Sequence, residues 1–100
     1  MNIPESLDKS TVSQLILSYG TWRNLFYRCY KKESADYKNY GARGIDVCKS
    51  WHEEDGFYQF ISDVGLRPSK LHSLDRIDVN KGYSKNNVKW STNIEQANLS

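Results

Sequence analysis

Apolar residues near the start of the chain recur at helical spacing. Val12, Leu15 and Ile16 follow an i, i+3, i+4 pattern, and the preceding Ser10 is a residue type favoured as a helix N-cap. Gly20 lacks a side chain and disfavours a helix interior. The pattern predicts a short first helix that is interrupted at Gly20.

A second stripe of apolar side chains begins two residues later. Its members are spaced at i, i+3, i+4, i+7 and i+8, and they are Trp22, Leu25, Phe26, Cys29 and Tyr30. This spacing is typical of an amphipathic helix of about three turns that buries one face. We expect these residues to contribute to the core.

The middle of the chain predicts a loop, a short strand and another helix. Two glycines surround Arg43, residues 45–47 alternate as in a short strand, and Trp51 is expected to anchor the next segment. That segment carries a helical stripe, formed by Phe57, Phe60, Ile61 and Val64. Gly65 comes directly after this stripe, as expected for a residue that ends a helix.

The last third predicts a strand, a loop, a second strand and a helix. Residues 71–79 alternate between apolar and polar types, which favours a strand with one buried face. Residues 80–84 have turn chemistry, and residues 88–90 suit a second short strand. Residues 92–95 match a capping box that opens a C-terminal helix. The whole chain therefore predicts a small single domain of the α+β class, with N-terminal helices.

Composition narrows the class of protein. The 100 residues contain 38% hydrophobic and 13% aromatic side chains, enough for one modest core. The longest strictly apolar run covers only residues 15–17, and the first residues lack the pattern of a signal peptide. Cys29 and Cys48 are the two cysteines, and they do not form a Cys-x-x-Cys motif. We therefore expect each of them to fill a core position as a small apolar residue rather than to form a disulfide or a zinc site. We expect a cytoplasmic protein without a membrane partner.

Charge is distributed unevenly although the net charge is only +2. Residues 21–50 carry seven basic and three acidic side chains, and residues 67–100 carry six and three. The acidic segment between them, residues 51–66, includes a cluster that suits the N-terminus of the predicted helix better than a metal. Two basic blocks are compatible with a nucleic-acid surface.

Several motifs occur in an order that is similar to a known family. They are YKNYGARGI (37–45), VC (47–48), Trp51, FYQF (57–60), GLRP (65–68), SLDRID (73–78), GYS (82–84), Asn87, WST (90–92) and EQAN (95–98). Over residues 19–99 the chain resembles a phage and bacterial family of HNH-type, homing-endonuclease-like proteins. The resemblance divides the chain into a lead-in with a short helix, residues 1–18, and an HNH-like domain, residues 19–100.

The resemblance implies a ββα-metal core at the C-terminal end. By position, Asp75 would bind the metal and Asn87 would brace the loop by hydrogen bonds. Gln96 would supply the second metal ligand from the final helix, with Asn98 as a nearby substitute. Hard oxygen ligands suit Mg²⁺ or Mn²⁺, which would stabilise the phosphate during hydrolysis.

One position departs from the family pattern. Where many HNH enzymes have the histidine that activates water, this chain has Arg76, which cannot act as a base but binds phosphate well. Other candidates for the base are His72, four residues before it, and His52, Tyr37 and Tyr40. As an alternative to a phosphate-binding role, Arg76 and the preceding aspartate would lie at a strand edge and take part in a network of ion pairs.

Residues expected to contact DNA are basic or aromatic. The candidates are Arg23, Arg28, Lys31, Lys38, Tyr40, Arg43, Arg67, Lys70, Arg76, Lys85 and Lys89. Such side chains contact phosphates, which gives affinity more than sequence specificity. Arg43, flanked by glycines, is the best candidate to enter a groove of DNA.

These expectations leave three functions open. The first is a double-stranded DNA-binding protein of the HNH class that hydrolyses phosphodiesters with a divalent metal. The second is an inactive derivative that binds a specific DNA sequence and represses transcription, with a possible homodimer on a palindromic site. The third is an RNA-binding or protein-interaction module that reuses the fold.

Overall fold

The computed structural model describes the backbone of residues 8–98 and the side chains of residues 8–95. Three helices and two strands form a mixed α+β domain: α1 (Lys9–Tyr30), α2 (Gly56–Val64), β1 (His72–Arg76), β2 (Val88–Thr92) and α3 (Asn93–Asn98). Short 3₁₀ turns cover Tyr37–Asn39, Gly41–Arg43, Lys49–Trp51 and Lys85–Asn87. The expected α+β class is confirmed.

The N-terminal part is one continuous helix, so the expected interruption at Gly20 is wrong. Helix α1 spans 22 residues, and the carboxylate of Asp8, rather than Ser10, caps it by accepting a hydrogen bond from the Thr11 N–H at 2.7 Å. Residues 18 and 19, where the sequence suggested a division of the chain, lie inside α1. A single glycine costs a helix only about 1 kcal/mol, which tertiary contacts can offset.

Helix α2 agrees closely with the sequence expectation. Its apolar stripe faces the core, and Phe60 packs edge-on against Trp51 with ring centres 4.9 Å apart. Both side chains are fully buried. Gly65 ends the helix with φ of 77°, a left-handed value that glycine adopts without strain.

The two strands form an antiparallel hairpin, and α3 comes directly after it. Leu74 pairs with Trp90, and the Thr92 hydroxyl accepts a hydrogen bond from the Glu95 N–H at 3.3 Å, as a capping residue does. The expected order of strand, loop, strand and helix is confirmed. The first strand is shorter than expected, however. It ends at Arg76, so Ile77 and Val79 lie exposed on the loop instead of on a buried face.

The core joins α1, α2, the middle segment and the hairpin. Its buried members include Leu25, Cys29, Val47, Trp51, Phe60, Leu74, Tyr83 and Val88. Residues 45–47 do not form the expected strand, and only an isolated parallel bridge pairs Val47 with Tyr83. Both cysteines are free thiols, with Cys29 buried and Cys48 partly buried. None of the helices described is both long and apolar enough to cross a membrane.

Candidate functional site

A groove of about 850 Å³ lies between α1 and the outer edge of β1. Four consecutive residues of β1, 73–76, line it, so the groove runs along the strand edge rather than one face of the sheet. The charged side chains along its described lining are Arg28, Arg67, Arg76 and Asp75. Three cations against one carboxylate make this groove electrostatically positive.

Asp75 is held in place by two serine hydroxyls. Ser73 donates to Asp75 Oδ1 at 3.2 Å, and Ser91 on β2 donates to Oδ2. The register pairs Ser73 with Ser91, so strand alternation places all three side chains on the same face of the hairpin. Ser91 is fully buried, which fixes the carboxylate relative to the sheet.

Arg76 points to the loop between the strands. Its Nη1 donates to the carbonyl oxygens of Val79, at 2.5 Å, and Lys81, at 3.1 Å. Its guanidinium also lies over the rings of Tyr40 and Tyr83, 5.0 and 5.5 Å from the ring centres. Arg76 therefore holds the loop while its charge stays beside the groove.

Arg28 reaches the same place from α1. Its Nη1 donates to the Tyr83 hydroxyl at 3.2 Å, and its guanidinium lies 4.9 Å from the centre of the Tyr40 ring. Burial works against the charged form of Arg28, but the bond to Tyr83 and the nearby Asp36 outweigh it, so its pKa lies above the ordinary value. The Nε atom of Arg28 is buried and has no hydrogen-bond partner in the described structure.

Tyr83 is the centre of this arrangement. Its ring is only 2% exposed and stacks with the Tyr40 ring at 6.2 Å between centres. Burial raises the pKa of Tyr83, and the positive charge of Arg28 opposes that rise without cancelling it. The hydroxyl therefore stays protonated at neutral pH and accepts from Arg28 as a neutral group.

Asn87 braces the loop by hydrogen bonds, as the sequence led us to expect. Its side-chain amide donates to the carbonyls of Gly82, at 2.8 Å, and Asp78, at 3.1 Å. Its Oδ1 accepts from the Asp78 N–H at 2.8 Å. The carboxamide is almost fully buried and therefore acts through the loop.

The histidines do not meet Asp75 and Arg76. His72 starts β1 and its Nδ1 lies 2.9 Å from the Ser69 hydroxyl. Arg76 is four positions further along the strand, about 13 Å from His72 along the chain. His52 lies against Phe26, with its Nε2 2.8 Å from the Val47 carbonyl. Among the described side chains suggested as a base, Tyr40 alone lines the groove.

The donor set expected for a metal ion is only partly described. Asp75 offers a carboxylate at the groove, but the side chain of Gln96, and that of its substitute Asn98, lie outside the described residues. Among the described residues no group of three His, Cys, Asp or Glu could hold a metal ion. Mg²⁺ commonly binds through one or two carboxylates, substrate phosphate and water, so Asp75 fits such an ion in the presence of a phosphate.

Arg67 lines the groove but is occupied by structural contacts. Its guanidinium donates to the carbonyls of Ser69, Lys70 and His72 and to the Thr21 hydroxyl on α1. Its backbone N–H donates to Ser18 at 2.7 Å. Arg67 therefore joins α1 to the segment that leads into β1.

The remaining basic candidates are exposed outside the groove. They are Arg23, Lys31, Lys38, Arg43, Lys70, Lys85 and Lys89. Arg43 donates to the Asn80 side chain at 3.1 Å and to the Asn39 carbonyl at 3.2 Å, which ties its turn to the hairpin loop. Its use as a DNA contact stays a prediction.

Sequence reasoning did not find Ser91 as a partner of Asp75. The register of the hairpin would have given this contact, because Ser91 pairs with Ser73 and Ser73 lies on the same face of β1 as Asp75. The groove thus combines a fixed carboxylate, two guanidinium groups beside stacked phenols and a braced loop, an arrangement suited to a phosphate group. A comparison of this chain with protein-family profiles, curated proteins and solved structures found no match.

Proposed function

We propose that this chain binds double-stranded DNA with a phosphodiester in the groove, and hydrolyses it with Mg²⁺ or Mn²⁺ at Asp75. The observation that supports this proposal is that Asp75, Arg28 and Arg76 all line one groove, with Asp75 and Arg76 on opposite faces of β1. Guanidinium groups bind phosphate oxygens strongly, and a nearby carboxylate is the ligand type that a hard cation needs.

Exposed basic residues outside the groove would add to the binding of a long polyanion. Arg23, Lys31 and Lys38 belong to the N-terminal basic block, and Lys85 and Lys89 belong to the hairpin. Contacts of this kind release counterions, so affinity falls steeply as the salt concentration rises. In this proposal the exposed basic residues hold the duplex in position, and the groove binds the one phosphate that reacts.

The residues that carry this proposal have separate tasks. Asp75, oriented by the hydroxyls of Ser73 and Ser91, would hold the metal ion. The metal ion would supply Lewis-acid stabilisation of the phosphate. Asn87 and Arg76 keep the loop in one shape, and Arg28 adds positive charge from the opposite wall.

The second candidate is a repressor that binds a specific duplex sequence without cutting it, as a homodimer where the site is palindromic. It is favoured by Arg76, which stands in place of the water-activating histidine and donates to loop carbonyls. Within the described structure no histidine lines the groove. Binding needs only the positive charges, whereas hydrolysis also needs a base that takes a proton from the attacking water, and among the described candidates only Tyr40 lines the groove.

Supercoiled plasmid with and without Mg²⁺ or Mn²⁺ separates the two candidates. For the first, we expect metal-dependent nicking that Asp75→Ala abolishes, while duplex affinity changes less than about threefold because phosphate contacts supply it. The control is Glu54→Gln, which removes an exposed carboxylate from the acidic segment. A plasmid that is shifted in a gel but never nicked would favour the repressor. Failure to shift duplex DNA at low salt would contradict both.

A further inference from the structure

We infer that Arg28 and Arg76 together form a binding site for a single phosphate group, and that Tyr83 positions Arg28 for it. The inference deepens the proposed function and rests on it for the origin of the phosphate, a DNA strand. It joins the wall of the groove that α1 supplies, through Arg28, to the end of β1, through Arg76. It makes Arg28 a direct phosphate ligand and Tyr83 a positioning residue.

The two guanidinium groups lie beside one aromatic ring and line one groove. Each guanidinium carbon lies within 5.0 Å of the centre of the Tyr40 ring, so the two carbons are at most about 10 Å apart. A phosphate presents oxygens on several sides, and one bound between the two groups would accept charge-assisted N–H···O bonds of about 2.8 Å from each.

Neutral groups hold both arginines. The hydrogen bonds described for Arg28 and Arg76 go to the Tyr83 hydroxyl and to the carbonyls of Val79 and Lys81. The nearby carboxylates are Asp36, which acts on Arg28, and Asp75 in the groove. The described lining still carries three arginines against one carboxylate, so a bound anion would lower the repulsion among the arginines.

Arg28 offers a ligand its terminal nitrogens rather than its Nε atom. The Nε atom is buried and closed to solvent, whereas the side chain as a whole lines the groove. A phosphate oxygen would therefore meet the Nη end of the guanidinium fork.

Tyr83 sets the direction of that fork. Its ring is buried and cannot move freely, and its hydroxyl accepts from Arg28 Nη1 at 3.2 Å. Tyr83→Phe removes this bond while it keeps the ring beside both arginines and leaves the charge unchanged. Tyr30→Phe is a matched control, because the Tyr30 hydroxyl accepts a hydrogen bond from the Val47 N–H outside the groove.

Nitrogen-15 NMR of the arginine Nε–H groups tests the inference directly on the whole chain. Dimethyl phosphate, a diester, and inorganic phosphate are titrated separately, with sodium chloride of equal ionic strength as the blank. We expect the Arg28 and Arg76 signals to shift along one binding curve. Tyr83→Phe should weaken binding about tenfold, and Arg28→Lys by at least as much. Tyr30→Phe should lower stability but leave the phosphate affinity within about twofold.

The outcomes separate this inference from the proposed function. Phosphate binding without any duplex binding would support the two-arginine site and contradict the DNA proposal. Duplex binding with no shift of either arginine signal would overturn the inference alone. Binding of inorganic phosphate but not of the diester would assign the site to a terminal phosphate. Equal losses in Tyr83→Phe and Tyr30→Phe would show that Tyr83 has only a structural role.

Discussion

At the scale of single residues, Asn87 shows how one buried amide determines the shape of the loop between the strands. Its two amide hydrogens go to carbonyls of the loop, and its oxygen accepts a backbone N–H. A carboxylate of the same shape has no hydrogens to offer. It would face the carbonyls of Asp78 and Gly82 with negative charge in a site that excludes water.

We therefore expect Asn87→Asp to lower the free energy of unfolding by about 2–4 kcal/mol at pH 7, since it breaks two buried hydrogen bonds and adds repulsion. Urea unfolding measures the difference. The control is Asn86→Asp, an identical change at the neighbouring exposed position, which should stay within about 0.5 kcal/mol of the wild type. Equal effects of the two substitutions would contradict the bracing role.

At the scale of elements, α1 is continuous across Gly20 because each half has contacts that fix it. The first half is tied to the segment before β1 by Ser18, which accepts from Arg67 N, and by Gln14, which donates to the Pro68 carbonyl. The second half buries Leu25 and Cys29 in the core. Tertiary contacts therefore override the local preference of glycine.

Two glycines with open space around them should respond in opposite ways to alanine. A Cβ at Gly20 or Gly44 would meet no atom within 4 Å, but Gly44 has φ of 82° whereas Gly20 lies in a helix. We expect Gly20→Ala to raise the free energy of unfolding by about 0.5–1 kcal/mol and Gly44→Ala to lower it by about 1–2 kcal/mol. Thermal or urea unfolding checks both, and a loss of stability in Gly20→Ala would show that α1 is strained at that point.

The elements also show what the sequence could predict. Helix α2 and the hairpin were predicted because their signals are local: a stripe of period 3.6 that ends at Gly65, and an alternation of period 2. The end of β1 was not predictable. Ile77 continues the alternation, but the next N–H, that of Asp78, bonds to the side chain of Asn87 instead of to a strand backbone. A bond between residues nine apart leaves no mark in a local pattern.

At the scale of the whole molecule, the candidate site depends on contacts between distant parts of the chain. Arg28 on α1 meets Tyr83 across 55 positions of sequence, and the Tyr40 ring stacks on that of Tyr83 beside the Arg28 guanidinium. The sequence could nominate the charged residues but not which of them would share a groove. Arg67 illustrates the limit, because its charge suited a DNA contact whereas its donors are occupied by the fold.

The same core that holds Tyr83 also contains an ionisable thiol. Cys29 is buried, and burial raises its pKa from an ordinary value of 9.0 to about 11. Between these two values the unfolded chain loses the thiol proton while the folded chain keeps it. The folded state then binds more protons than the unfolded state, so stability must fall as the pH rises through this range.

We expect the free energy of unfolding to decrease between pH 9 and pH 11, with Cys29 contributing at most about 2–3 kcal/mol of that decrease. Tyr83 and Tyr30, whose pKa values burial also raises, act in the same direction at the upper end of the range. Cys29→Ala isolates the thiol, because it lowers stability at pH 7 but should flatten the alkaline slope. Urea unfolding at half-unit pH steps measures both curves. Parallel curves for the two proteins would mean that the Cys29 thiol ionises as readily in the folded core as in the unfolded chain.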